Sequence, residues 1–257
     1  MPRVYNKREI EKIRRSNMLV GEALDYMGEL VRPGMTTREL DRELERFIRD
    51  HGARPAFKGI VGDAPTPFPA SGCFSIDEVV VHGIPSDREL EEGQIIGIDV
   101  GTEIDGFYGD AARTFFVGEV NFEKKRLAET AKDSFFSGIK YAEPGNKVGD
   151  ISYGIQKMVE GRGFSVVRAL VGHGIGQNLH EDPQIPNYGR PATGPKIAEG
   201  MVFAIEPMIN IGTFEVSVLE DGWTIVTADR KPSAHYENTI LITANGPEIL
   251  SLTQDIR

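Results

Sequence analysis

The chain has 257 residues, 40% hydrophobic and 26% charged, which suits one large globular domain or two small ones. Its formal net charge is -10 and its pI about 5.1, which argues against a nucleic-acid surface, because that requires a basic stripe. The single cysteine, Cys73, excludes an internal disulfide and a zinc-finger array and is compatible with a reducing compartment.

Residues 7–31 carry Ile10, Ile13, Met18, Leu19, Ala23, Leu24, Met27 and Leu30 at roughly helical spacing with Lys and Arg between them, which predicts an amphipathic helix. Pro33-Gly34 breaks it. Thr36 or Thr37 then caps a second helix that runs to about His51 and ends at Gly52. A Gly- and Pro-rich loop over 58–71 is expected at the mouth of a site. Strands are expected over 79–82, 94–100 and 107–117. A helix over 121–141 is broken by Pro144-Gly145, and another runs from about Val148 to Glu160. Further strands are expected over 165–171, 201–206, 213–219, 223–228 and 236–243, with a second loop over 186–197. The start of the chain runs straight into a charged helix with no signal-peptide pattern, and no apolar run approaches the ~20 residues that span a bilayer, so a cytoplasmic protein without a membrane segment is expected.

Pro33-Gly34 recurs as Pro144-Gly145, and Gly52 as Gly163, both at an offset of 111 residues. This reads as a duplicated α+β unit, with two helix pairs covering a curved sheet on one side and leaving its other face open.

Asp99 lies in Ile95-Ile96-Gly97-Ile98-Asp99-Val100, and Asp110 in Gly109-Asp110-Ala111-Ala112. Asp105-Gly106 between them is a hairpin turn signal. Depending on where the turn centres, the two carboxylates are directly opposed or diagonal neighbours on one sheet face, roughly 5 Å apart. Like charges there repel, and a bridging cation supplies a reason for the pairing. Gly97 and Gly109 leave room beside them. His173 stands between Gly172 and Gly174, which are expected to turn the backbone tightly and expose the imidazole. Glu206 ends the apolar run Met201-Val202-Phe203-Ala204-Ile205, and Glu237 opens another, Asn238-Thr239-Ile240-Leu241-Ile242. A glutamate on a buried strand is seldom left unpaired. Together these five residues form an oxygen-rich set with one nitrogen ligand, able to hold two divalent ions if some carboxylates bridge; Mn²⁺, Fe²⁺ or Co²⁺ suits it, and Zn²⁺ is compatible. Arg113 and Arg168 are the nearby cations, too few to neutralise four buried carboxylates without metal. His51 reads as a helix-end residue with no catalytic part.

The ordered motifs Glu78-Val79-Val80-Val81-His82-Gly83-Ile84-Pro85, the Asp99/Asp110 hairpin, Gly172-His173-Gly174-Ile175-Gly176 with His180, Phe203-Ala204-Ile205-Glu206-Pro207-Met208 and Tyr236-Glu237-Asn238-Thr239 resemble type I methionine aminopeptidases over essentially the whole chain. The resemblance implies the α+β pita-bread (creatinase/aminopeptidase) fold, with pseudo-symmetric halves of a single catalytic domain over 1–257, about 1–118 and 119–257. It implies a hydrolase that removes initiator methionine from nascent polypeptides with a small second residue, by attack of a water or hydroxide held between two ions. Asp99, Asp110, His173, Glu206 and Glu237 would hold those ions, Asp110 and Glu237 bridging them. Glu206 would shuttle the proton, His82 would bond the scissile amide or substrate backbone, and His180 would polarise the carbonyl. Phe68, Cys73, Leu179 and Trp223 would line the methionine pocket, with Cys73 acting as a small buried hydrophobe. The resemblance also implies a monomer with access to the ribosome and no direct nucleic-acid site. The departures are Leu179 where an aromatic is common, Val81 where a cysteine can occur, His235 in place of a common Gln, Asn238 where His is frequent, and a longer loop before Phe68-Pro69. An Xaa-Pro peptidase would carry an added N-terminal domain. A type II enzyme would carry an insertion where only 26 positions separate His180 from Glu206. A non-enzymatic relative would have lost ligands that are kept here.

Overall fold

The computed structural model describes residues 2–252. Residues 1 and 253–257 of the expected 1–257 span lie outside the described residues.

Helix α1 (Lys7–Leu30) starts at a capping box in which the Asn6 side chain accepts from the Glu9 amide and Glu9 returns to the Asn6 amide. Helix α2 (Thr37–Asp50) uses Thr36 and Glu39 in the same way. Strands β1 (Arg54–Pro55), β2 (Gly72–Ile76) and β3 (Val79–Val81) follow, then the long hairpin β4 (Ile95–Ile104) and β5 (Phe107–Phe116). Its two turn residues, Asp105 and Gly106, both have positive φ (53° and 78°), the geometry that matches the twist of a two-residue hairpin. Helices α3 (Phe122–Ile139) and α4 (Val148–Gly161) open the second half. Short strands complete it: β6 (Ser165–Val166), β7 (Val171–Gly174), β8 (Glu181–Pro186), β9 (Val202–Ile205), β10 (Met208–Asn210), β11 (Val216–Val218), β12 (Ile225–Thr227), β13 (Ser233–His235), β14 (Glu237–Thr243) and β15 (Gly246–Ile249).

The 111-residue repeat is visible in the fold. Both ends of α2 (37 and 50) map onto those of α4 (148 and 161), and β1 (54–55) maps onto β6 (165–166). The breaker glycines Gly34, Gly52, Gly145 and Gly163 all have positive φ.

The main sheet is antiparallel, in the order β1-β4-β5-β14-β9-β7-β8, with β2 also on β4 and β15 also on β14. Each helix pair covers part of one face. Leu24, Met27, Leu40 and Leu44 meet Ile96, Ile98 and Val100 in the first half. Leu127, Phe135, Ile151 and Ile155 meet Phe203, Ile205, Ile240 and Ile242 in the second. These side chains are almost wholly out of water, each worth about 1.5–3 kcal/mol of apolar transfer. Because side chains alternate along a strand, the residues between them point to the face without helices.

Three local expectations are corrected. The run 165–171 is not one strand: β6 pairs with β10 in a small sheet, whereas β7 starts at Val171 in the main one. The Gly172-His173-Gly174 stretch is strand β7 rather than an exposing turn, and His173 is buried, 9% exposed. Its glycines are needed for close approach: a Cβ on Gly172 would lie 2.5 Å from the Ala204 carbonyl oxygen, and one on Gly174 would lie 2.2 Å from that of Asp182. Gly109 leaves no open room, since a Cβ there would lie 2.7 Å from the Asn17 amide nitrogen of α1; Gly97 alone has ordinary clearance, its nearest neighbour Ser75 at 3.6 Å. Gly174→Ala should therefore lower stability by about 1–3 kcal/mol, read as a drop in Tm of several degrees. Gly161→Ala, whose added methyl meets nothing within 4 Å, should leave Tm equal or higher. Equal Tm values for the two variants would contradict the close-approach account.

Candidate metal centre

Strand register explains why distant acidic residues meet. Asp99 pairs with Ala112, and Asp110 with Gly101, so the two aspartates are diagonal neighbours on one face. Glu237 pairs with Ala112 as well, from the other side of β5, and shares that face. His173 pairs with Ala204, which belongs to the same side of β9 as Val202, and Glu206 lies two residues further along. All five therefore project from the helix-free face. Arg113, by contrast, lies one residue from Ala112 and projects to the helix side. There it donates to the Glu237 carbonyl (2.5 Å) and to Asn238 Oδ1 (2.6 Å) and lies over the Tyr236 ring; its charge acts on Glu237 from that side, but not through a hydrogen bond to the carboxylate. Arg168 stacks on Phe214 and Tyr188.

The carboxylates are thus crowded and have no ion pair with a lysine or arginine among the described residues. Asp110 and Glu237 are 3% and 2% exposed, while Asp99 and Glu206 are half-buried. Asp99 Oδ1, Asp110 Oδ1 and Glu237 Oε1 have no hydrogen-bond partner among the described residues. Ligand atoms of Asp110, His173 and Glu237 lie within 4.8 Å of one another, and so do those of Asp99, His235 and Glu237. His173 Nδ1 lies 2.9 Å from the Gly174 carbonyl oxygen; donating there leaves Nε2 with a free lone pair, 3.5 Å from Glu206 Oε1 and 3.9 Å from Asp110 Oδ2. Separations of that size are long for hydrogen bonds but close to what two ligands of one ion show when each metal bond is about 2.1 Å. Orphaned buried oxygens around a nitrogen lone pair fit divalent cations and fit little else.

Electrostatics agree. Burial pushes the Asp99 carboxyl up to about 7. Burial, then Asp99, pushes Asp110 and Glu206 well above the usual range; burial, then Asp110, does the same to Glu237. Without a cation these groups can only lower their cost by holding protons.

The cluster forms one wall of a cavity of about 470 Å³. The other walls carry Phe57, Ile60, Phe68, Cys73, Leu179 and Trp223. The loop over 58–71 shapes this rim: Gly59 N–H donates to the Phe68 carbonyl (2.8 Å), Phe68 N–H donates to the Ile60 carbonyl (2.9 Å), and Trp223 Nε1 donates to the Thr66 carbonyl at 2.8 Å. The Phe68 and Trp223 rings meet edge to face at 5.3 Å. Cys73 sits opposite Asp99 on β2, and burial and then Asp99 push its thiol well up, so it remains an uncharged apolar group.

His82 and His180 flank the cluster. His180 is exposed at the cavity mouth, its ring 4.5 Å from that of His173. His82 holds a left-handed backbone (φ 58°), an uncommon state for a residue with a Cβ. The next residue, Gly83, packs tightly on β2: a Cβ there would lie 2.1 Å from the Phe74 carbonyl oxygen, and Phe74 N–H donates to the Gly83 carbonyl at 2.8 Å. His51 lies away from the site, its Nδ1 on the Phe47 carbonyl at the end of α2. One member of the cluster escaped the sequence reading as a cluster residue: His235, 3% exposed, whose Nε2 has no partner and lies 3.6 Å from Glu237 Oε2. Its position two residues before Glu237 was the available signal, since such spacing places two side chains on one side of an extended chain.

Comparison with known proteins places this geometry. The profile of metallopeptidase family M24 matches residues 11–244. The methionine aminopeptidase of Clostridium perfringens is 53% identical over 96% of this chain and 97% of that protein. Methionine aminopeptidase 1 of Bacillus subtilis is 46% identical over 95% of this chain and 96% of that protein. The crystal structure of methionine aminopeptidase from Rickettsia prowazekii superposes with a TM-score of 0.95, at 42% identity, over 98% of this chain and all of that one. The chain belongs to metallopeptidase family M24 and, within it, to the methionine aminopeptidases. The pita-bread fold alone is shared with the prolidase from Pyrococcus furiosus (TM-score 0.75, 22% identity, 98% of this chain and 66% of that one).

The cavity has a pH consequence. Burial, with His180 adding, depresses the His82 imidazole to about 4. An unfolded imidazole titrates near 6.5, so the contribution of His82 to stability is complete above that pH. As pH falls from 6.5 towards 4 the unfolded chain takes the proton first, and the contribution is lost. In the presence of chelator, His82→Gln should show a smaller fall in Tm between pH 7 and pH 4.5 than the wild type; equal falls would contradict a buried, neutral His82.

Proposed function

We propose that this chain hydrolyses the first peptide bond of polypeptides that begin with methionine and a small second residue, with Asp99, Asp110, His173, Glu206 and Glu237 holding two divalent ions. The observation that carries the reading is a single cavity with orphaned carboxylate oxygens on one wall and an apolar, aromatic lining on the others. Fe²⁺, Mn²⁺, Co²⁺ or Zn²⁺ suits an oxygen-rich set with one imidazole. When bound, such ions supply Lewis acidity and an activated water for attack on a carbonyl.

The residues of the chain then account for the rest. Asp110 and Glu237 lie between the outer ligands and are the carboxylates proposed to bridge. Glu206 would take a proton from the attacking water at its carboxylate and pass it to the leaving nitrogen. His82, neutral at pH 7, bonds the scissile amide or the neighbouring backbone. His180, at the cavity mouth, donates to the developing oxyanion. Phe68, Cys73, Leu179 and Trp223 enclose a flexible, polarisable thioether side chain.

One catalytic domain over 1–257, with halves about 1–118 and 119–257, acting as a monomer, is part of the proposal. The proposed compartment is the cytoplasm, which a lone free cysteine suits. Among the described residues no helix is long and apolar enough to cross a membrane. Nascent chains are the proposed substrates, and with them association with the ribosome, where such chains first appear.

The test is release of methionine from Met-Ala-Ser with and without chelator. Release should depend on added divalent metal. Glu206→Ala should lose about 10²–10⁴-fold in kcat, with circular dichroism unchanged. Cleavage of Xaa-Pro peptides with none of Met-Ala-Ser would replace this reading with a prolidase-like one.

A further inference from the structure

We infer that His235 is a sixth protein ligand of the metal centre, joining Asp99 and Glu237 at one of its two ions. The inference rests on the dimetal reading above and adds a residue to it. His235 ends β13 and is paired with Met208 of β10. Its backbone is tied to β5 twice: its amide donates to Thr114 Oγ1 at 3.1 Å, and that hydroxyl donates to its carbonyl at 2.8 Å. These bonds anchor the backbone that carries the ring. The ring is buried, 3% exposed, and Nε2 has no hydrogen-bond partner among the described residues.

A buried imidazole nitrogen without a partner is costly unless something occupies its lone pair. The nearest candidate, Glu237 Oε2, is 3.6 Å away, beyond a good hydrogen bond. That distance nearly repeats the 3.5 Å between His173 Nε2 and Glu206 Oε1 on the other side of the cluster. Both fit two ligands of a common ion with metal bonds of about 2.1 Å. Asp99 completes the group, with ligand atoms of Asp99, His235 and Glu237 within 4.8 Å of one another. The centre then has one imidazole at each end, His173 beside Glu206 and His235 beside Asp99, with Asp110 and Glu237 shared between them. A nitrogen donor makes the Asp99 end softer than an all-oxygen site, which favours Zn²⁺, Co²⁺ and Fe²⁺ there over Mg²⁺.

The test compares the wild type with His235→Gln and His173→Gln, each stripped of metal and titrated with Co²⁺ under anaerobic conditions. The wild type should bind two ions. His235→Gln should keep one affinity and weaken the other by at least about tenfold. Proton NMR of the Co²⁺-loaded wild type should show hyperfine-shifted ring protons from two histidines. His235→Gln should remove one set and His173→Gln the other, a readout that a purely structural role for His235 would not give. If a variant does not fold, a crystal structure of the Co²⁺-loaded wild type decides: His235 Nε2 within about 2.3 Å of an ion supports the assignment, and beyond about 3 Å overturns it. Two ions bound with a single set of shifted imidazole protons would overturn the assignment of His235 and leave the dimetal reading standing. No ion bound by the wild type would overturn both.

Discussion

The structure turns on uncompensated negative charge. Asp99, Asp110, Glu206 and Glu237 occupy one face of one sheet, largely out of water, and among the described residues no arginine or lysine forms a hydrogen bond or ion pair with their carboxylates. Removing a carboxylate from water costs several kcal/mol even after relaxation, and neighbouring carboxylates add repulsion. A fold that retains four such groups needs protons or cations there, and the unpartnered oxygens beside His173 Nε2 have the separations that cations require.

The remaining architecture is arranged around that face. The helix pairs α1–α2 and α3–α4 cover the opposite side of the main sheet, burying residues such as Ile96, Ile98, Phe203 and Ile240 there and leaving the carboxylates on the side of the cavity. Arg113 shows how strict the division is. It sits between the halves, one position from the partner of Asp99, yet its guanidinium is committed to the Glu237 carbonyl, Asn238 and the Tyr236 ring on the helix side. It helps to fix the backbone that carries Glu237 without neutralising the side chain. The glycines around His173 serve the same end: they let β8 and β9 approach closely enough to bring Glu206 beside the imidazole.

Much of this was legible in the sequence, for identifiable reasons. The helix pairs declared themselves through apolar spacing and Pro-Gly breakers, and the repeat of those breakers gave the two halves. Asp105-Gly106 set the hairpin, so period-two alternation was enough to put Asp99 and Asp110 on one face; the diagonal register depended on the turn conformation, which sequence left open. The short strands β2, β10, β13 and β15 carry too few residues for a periodic signal. The split between β6 and β7 is set by their partners, β10 and β9, which are distant in sequence. Gly172 and Gly174 look like turn residues locally; only the carbonyls of Ala204 and Asp182 show why a side chain is excluded. His235 was visible as a residue but not as a neighbour of Asp99, because that proximity arises where β13 crosses from the small sheet into β14 of the large one.

The central claim is that cations, not protons or basic side chains, balance this face of the sheet. Anomalous diffraction from crystals grown with Mn²⁺ addresses it most directly. The account predicts two anomalous peaks among Asp99, Asp110, His173, Glu206 and Glu237. A map with no peak there, and with each carboxylate bonded to a basic side chain or to solvent, would contradict it.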